Sequence, residues 1–156
     1  MKTILINTPS LKLLGGVSNH YLGLQNKWSL NVKYNTVAGR NNVPTFILLP
    51  FDLVKFSIKC LLLKPDIVVL NPSLMMNALR RDDLFLRVAK FLKIKTVVFF
   101  HGWDIKVQDE IDNGKYNIYA NYSSADLILV LANEFKQKLI DWGFKSSIKL
   151  TTTKVD

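Results

Sequence analysis

The sequence predicts an α/β fold: a doubly wound, mostly parallel sheet of about six or seven strands with helices on both faces. Three observations point to it. Short apolar runs recur along the chain, at Ile4-Leu5-Ile6, Ile67-Val68-Val69-Leu70, Thr96-Val97-Val98-Phe99-Phe100 and Leu127-Ile128-Leu129-Val130-Leu131. Runs of this kind, bounded by turn residues, mark strands buried on both faces of a parallel sheet. Between them lie stretches with apolar residues at helical spacing, so strand and helix patterns alternate without repeats or low-complexity tracts. A chain of 156 residues is long enough for one domain with a substantial core.

The first strand spans residues 2–7, and the chain then passes through Pro9 and Ser10 to Gly15-Gly16. Val17, Tyr21, Leu24 and Trp28 recur at helical spacing, which puts the glycine pair at the start of the first helix. Residues 31–37 alternate and read as a second strand, followed by a loop over 38–44 around Gly39. Residues 45–63 are the most apolar stretch, read as a helix covering one face of the sheet, with Pro50 expected in its first turn. A second reading lays the apolar side of that helix, edged by Lys55, Lys59 and Lys64, on an anionic membrane surface.

After the strand ending at Leu70 come Asn71-Pro72-Ser73 and a helix over 74–93 with Met75, Leu79, Leu86, Ala89 and Leu92 on one stripe. Arg80, Arg81, Arg87, Lys90, Lys93 and Lys95 fall largely off it, as a solvated basic face does. Residues 105–114 are polar and acidic and close on the turn pair Asn113-Gly114. Residues 116–124 form a short helix or a loop. Asn133 is placed to cap a helix carrying Phe135, Leu139, Ile140 and Trp142, which Gly143 ends, and residues 147–150 are the last strand.

Twenty-one Lys and Arg stand against twelve Asp and Glu, a formal charge of +9. That excess suits an anionic partner such as a phosphorylated substrate or an acidic membrane surface. The lysines are not interleaved with aromatics and no nucleic-acid module signature is present, so a nucleic-acid partner is not expected. Cys60 is the one cysteine, which excludes an intramolecular disulfide and fits a reducing, cytoplasmic setting. The first residues do not read as a signal peptide, and no window of about 18 residues is free of charge, as a membrane span would require.

Candidate site residues follow from strand ends, because open α/β sheets bind ligands beyond the carboxyl ends of their strands. His101 follows one strand directly and is the candidate catalytic group. Gly102 lets the backbone turn after it, and Asp104 lies two residues further on. Asn71 and Ser73 end the preceding strand on the same edge. Gly15, Gly16 and Val17 sit at a helix N-terminus, where unpaired N–H groups suit an anion and glycines let a phosphate or sugar approach the backbone. The spacing is not the Gly-x-Gly-x-x-Gly dinucleotide fingerprint. Each feature also has a plain reading: a loop histidine hydrogen-bonded to backbone, and an ordinary strand-to-helix turn.

Five segments occur in a recognisable order: Gly15-Gly16-Val17, Lys64-Pro65-Asp66-Ile67-Val68-Val69, Val98-Phe99-Phe100-His101-Gly102, Ala125-Asp126-Leu127-Ile128-Leu129-Val130-Leu131, and the closing Val155-Asp156. Together they resemble the Rossmann-like N-terminal domain of a GT-B glycosyltransferase. The family is the large retaining one, glycosyltransferase family 4 (glycosyl transferases group 1), with many bacterial capsule, lipopolysaccharide and glycolipid enzymes. The resemblance covers the whole chain and implies an acceptor-side domain spanning 1–156 that works with a C-terminal nucleotide-sugar domain absent from this sequence.

It implies transfer of a sugar, with retention, from a nucleotide-sugar to a glycan, polysaccharide or lipid-linked acceptor, without an obligatory metal or other cofactor. Gly15 and Gly16 would then line the cleft, and His101 would hydrogen-bond the sugar or acceptor. A Lys or Arg pair and a helix N-terminus in the other domain would meet the leaving diphosphate. The location implied is cytoplasmic, with peripheral attachment to the membrane face open. Two alternatives stand beside it: a non-catalytic Rossmann-like interaction module, and a flavodoxin-like or nucleotide-binding regulator.

Overall fold

The structure is a computed structural model that describes residues 2–37 and 44–153. The expected loop over 38–44 falls outside the described residues except for Pro44, as does Val155-Asp156.

Eight strands are present among the described residues: β1 (Thr3–Thr8), β2 (Asn31–Thr36), β3 (Ile67–Leu70), β4 (Ser73–Leu74), β5 (Lys95–Phe99), β6 (Gly102–Trp103), β7 (Leu127–Val130) and β8 (Ser147–Leu150). Six of them form one sheet in the order β2-β1-β3-β5-β7-β8, with every pair parallel. The expected doubly wound α/β class and the count of main strands are therefore observed. The sequential order differs from that of dinucleotide-binding sheets, which begin 3-2-1; here the direction of winding reverses between β1 and β3. The two-residue strands β4 and β6 pair with each other beyond the sheet edge, and are too short to leave a pattern in sequence.

The six helices are α1 (Gly16–Leu24), α2 (Thr45–Leu63), α3 (Met76–Phe91), α4 (Ile105–Asp112), α5 (Ile118–Tyr122) and α6 (Asn133–Asp141). Parallel crossovers are right-handed, so winding direction decides which face each helix covers. Only the β1-to-β2 connection winds one way, and it carries α1. All later connections wind the other way and deposit their helices on the opposite face. The main core lies there, with Leu5, Val68, Leu70, Val98 and Ile128 of the sheet against Phe56, Leu79, Phe85, Leu86, Tyr122 and Leu139 of the helices. The α1 face is covered less completely. Ile67, Val69, Val97, Leu127 and Leu129 stay half-buried there and line an open groove of about 410 Å³ with Tyr21, Leu24 and Trp28.

Several local expectations are corrected. The first helix stops at Leu24, and Trp28 instead donates through Nε1 to the Tyr34 hydroxyl at 2.9 Å. Pro50 lies inside α2, past the first turn; its ring faces outward and is exposed, where the lost N–H bond falls on the solvent side. The acidic stretch 105–112 is a helix, α4, anchored by only Val107 and Ile111, a pair too sparse to read as a stripe. The basic residues of α3 are not simply solvated. Arg81 pairs with buried Asp82 at 2.7 Å, Arg87 with Asp83 at 3.0 Å and Lys90 with Asp126 at 3.0 Å. Burial pushes the Asp82 carboxyl up even beside Arg81.

Helix α6 is held to β6 by a stack in which Trp103 lies over Phe135 at 4.3 Å, and its end is held to α4 by Trp142, which donates to Asp112 at 2.7 Å. It ends as expected, with Gly143 at φ 96° and its N–H on Ile140 O. Its start differs: Asn133 is the first helical residue, and the cap position belongs to Ala132, extended at φ −142° and ψ 153°, with no side-chain cap. A hydroxyl there would satisfy an orphan N–H of the first turn. Ala132→Ser is therefore expected to stabilise the chain by about 1 kcal/mol, read as a higher urea midpoint at unchanged m-value.

Candidate functional site

The chain reverses its winding at the carboxyl ends of β1 and β3, the position at which open α/β sheets carry their ligands. Three elements converge there. β1 delivers Asn7, β3 runs out into Asn71, and the segment after β5 brings His101. The alternation of strand side chains puts Val97, Phe99 and His101 on the α1 face, where the first helix supplies His20 and Tyr21.

The Asn71 amide ties these parts together. Its Nδ2 donates to Asn7 O at 2.9 Å, and its Oδ1 accepts from the Tyr21 hydroxyl at 2.6 Å and lies 3.0 Å from His101 Nε2. Asn7 O can only accept, which fixes the amide with Nδ2 toward β1 and Oδ1 toward the rings. An amide oxygen accepts only, so His101 must carry its proton on Nε2. The remaining nitrogen, Nδ1, is then a lone-pair acceptor, and it is buried without a partner among the described residues.

Rings pack around this imidazole: Phe99 at 3.6 Å between centroids, His20 at 5.2 Å and Tyr21 at 6.0 Å. Burial, and secondarily the neighbouring His20, pulls the His101 pKa from its usual range down to about 3. Burial also lowers that of His20 and raises that of Tyr21. At neutral pH the cluster is thus a set of uncharged hydrogen-bonding groups. A second amide pair lies beside it, where buried Asn35 donates to Asn7 Oδ1 at 2.7 Å and leaves Asn7 Nδ2 and Asn35 Oδ1 unpaired.

Of the residues singled out in sequence, Asn71 and His101 are brought into direct contact. Gly15, Gly16 and Val17 lie on the same edge, four or so residues before His20. Gly15 is extended at φ 168°, and a Cβ on Gly15 or Gly16 would meet nothing within 4 Å. Neither the backbone nor the neighbouring atoms of this chain therefore require glycine at these positions. Gly102 and Ser73 pair as β6 and β4, and a Cβ on Gly102 would stand 3.2 Å from the Ser73 side chain. That close approach favours glycine on packing grounds, because any larger residue needs the Ser73 side chain to give way by a few tenths of an ångström. Asp104 is the N-cap of α4, accepting from Lys106 N at 2.9 Å.

Sequence reasoning missed His20, Tyr21, Asn7 and Asn35 as members of the cluster. Tyr21 was absorbed into the apolar stripe of α1, although His20 beside it is one of only two histidines. No group of three His, Cys, Asp or Glu suited to a metal ion occurs among the described residues. Comparison with protein-family models and with curated proteins finds no match to this chain.

Two substitutions separate structural from functional roles. Asn71→Leu strands the Tyr21 hydroxyl and Asn7 O, and is expected to cost about 2–4 kcal/mol. His101→Phe removes an unpaired acceptor while Asn71 Oδ1 keeps Tyr21, so its expected cost is within about 1 kcal/mol; chemical denaturation of both variants checks the contrast.

The pH dependence has a defined sign. A histidine whose folded pKa lies below its unfolded value binds fewer protons in the native state, so stability is present above about 6.5 and is lost as pH falls toward about 3. Between about pH 6 and 5 the His101 share of the slope approaches about 1.4 kcal/mol per unit, and His101→Phe should flatten it. An equally steep slope in the variant would contradict the buried neutral imidazole.

Proposed function

We propose that this chain is the acceptor-side half of a retaining glycosyltransferase, moving a sugar from a nucleotide-sugar to a glycan, polysaccharide or lipid-linked acceptor. The observation that carries this reading is His101: a neutral imidazole at the winding reversal, locked in one tautomer by Asn71, with its second nitrogen unpaired among the described residues. A lone-pair nitrogen in a ring that cannot rotate freely suits a substrate hydroxyl. Holding that hydroxyl in register with the reacting carbon is worth orders of magnitude in rate.

The cluster has no fixed positive charge, because both histidines are held neutral and the rest are amides and a phenol. A departing nucleoside diphosphate needs cationic partners as charge develops. On this reading those partners come from a second, donor-binding domain, and the glycine pair leaves room for it. A lipid-linked acceptor would further place the enzyme at the cytoplasmic face of a membrane.

The strand order favours one other reading, a nucleotide- or flavin-binding module without transferase activity, since sheets ordered 2-1-3-4-5 carry such ligands at the β1/β3 reversal. The experiment joins the chain to a nucleotide-sugar-binding domain and follows release of nucleoside diphosphate. Turnover is expected only in the joined protein, and His101→Ala should lower kcat by about 100-fold or more. Undiminished turnover in His101→Ala would remove the site assignment. A thermal shift of the chain alone by flavin mononucleotide or a uridine nucleotide, at ligand concentrations far above Kd, would favour the second reading.

A further inference from the structure

We propose that the outward face of α2, continued by a lysine pocket at the amino-terminal edge of the sheet, docks on a bilayer containing anionic lipid. The proposal does not rest on the transferase reading.

α2 is apolar on two sides. Phe56 and Cys60 turn inward and are buried, so the core is complete without the opposite side. That side carries Ile47, Phe51, Val54, Ile58 and Leu61 in one stripe, all largely exposed; Phe51 is 72% exposed, and Leu62 beside the stripe is 78% exposed. At 1.5 Å per residue the stripe is about 21 Å long. A continuous apolar strip on a folded domain marks a contact surface. No helix of the described residues is long and apolar enough to cross a membrane, so the geometry is that of a helix lying in the interface plane. The only acid on α2 is Asp52, which is buried, so no carboxylate interrupts the face.

The second observation lies where the stripe ends. Leu61 is also part of the wall of a pocket of about 510 Å³ that includes Lys2, Lys64, Lys93 and Lys95. Lys2, Lys64 and Lys93 lie just before β1, β3 and β5, three neighbouring strands, and Lys95 is the first residue of β5. None of the four is in an ion pair among the described residues. The one carboxylate of the pocket, Asp66, is engaged by the Thr3 N–H at 2.7 Å.

Lys64 and Lys93 hold left-handed backbone, at φ 43° and 57°, where glycine or asparagine is the unstrained choice. The helix dipole accounts for a cation at the end of α2 and of α3; it does not account for Lys2 and Lys95 at strand starts. Phe91, the last residue of α3 and the chain neighbour of Leu92 in the pocket wall, is 86% exposed.

Lys55 and Lys59, expected to edge this face, turn to the exposed edge of the sheet, donating to Thr36 O at 2.6 Å and Tyr34 O at 2.9 Å. The headgroup contacts therefore fall to the pocket lysines. Charge also decides the partner. A two-fold dimer through this face would bring together two chains of net charge +9 and would leave both lysine pockets without an anionic partner. A bilayer offers hydrocarbon to the stripe and a plane of phosphates to the pocket.

The test is cosedimentation of the chain with vesicles of equal parts phosphatidylcholine and phosphatidylglycerol, and of phosphatidylcholine alone. Binding is expected to the mixed vesicles and to be released by high salt. Lys64→Gly with Lys93→Gly should weaken it about 25-fold, at about fivefold per lysine, while the melting temperature holds or rises because glycine suits both backbones. Phe51→Ser with Leu62→Ser should weaken binding also to the mixed vesicles at low salt, with the fold intact since both side chains are exposed.

Failure of the natural chain to bind mixed vesicles, or undiminished binding by both double variants, overturns the proposal. So does a dimer in lipid-free buffer that Phe51→Ser with Leu62→Ser makes monomeric, which would assign the face to a second copy. None of these outcomes bears on sugar transfer, which is read separately through His101.

Discussion

Among the described residues, the Asn71 side chain bonds to all three of the elements packed around it at the winding reversal: β1, α1 and the segment after β5. Its donor end is held by the β1 backbone and its acceptor end by α1 and the segment after β5. Because the amide is 4% exposed, each of these bonds acts in low dielectric, where loss of a partner leaves a buried group stranded. The tautomer of His101 and the seating of Tyr21 both depend on it. A hydrophobic side chain could fill the same space. It could not orient an imidazole.

Topology accounts for the uneven surface of the domain. Once the chain has reversed after β2, every right-handed crossover adds a helix to one face, and the other receives α1 alone. The helix-rich face has enough apolar surface to bury its own side of the sheet and still leave α2 with a second greasy stripe. The α1 face keeps a half-covered groove. Both surplus surfaces thus follow from strand order and neither is needed to complete the core, so what each contacts is a matter of function.

The strands were legible because parallel strands buried on both faces are nearly unbroken runs of Val, Ile, Leu and Phe, a pattern few other structures produce. Their ends put His101 and Asn71 on one sheet edge, where the two side chains are in contact. Strand order is not carried by such runs, and with it went the knowledge that Asn7, Asn35, His20 and Tyr21 would meet at the reversal. Tyr21 shows why: a residue can serve an apolar stripe with its ring and a polar cluster with its hydroxyl, and periodicity registers only the first. Gly102 and Asp104 lie on the expected edge and also have local structural roles there, a close approach to Ser73 and the capping of α4.

The two ends of the sheet differ in chemistry as well as direction. At the carboxyl end, burial keeps the imidazoles neutral, and the groups offered are hydrogen-bonding rather than charged. At the amino end, four lysines share one pocket with a single engaged carboxylate. Attraction toward a phosphate-bearing partner is therefore strongest at the end away from His101, so long-range charge would orient the domain without drawing phosphate onto the imidazole cluster. α2 runs antiparallel to the strands, and a surface laid along its stripe lies parallel to them. The carboxyl edge, with its neutral hydrogen-bonding cluster, would then be left uncovered by that surface.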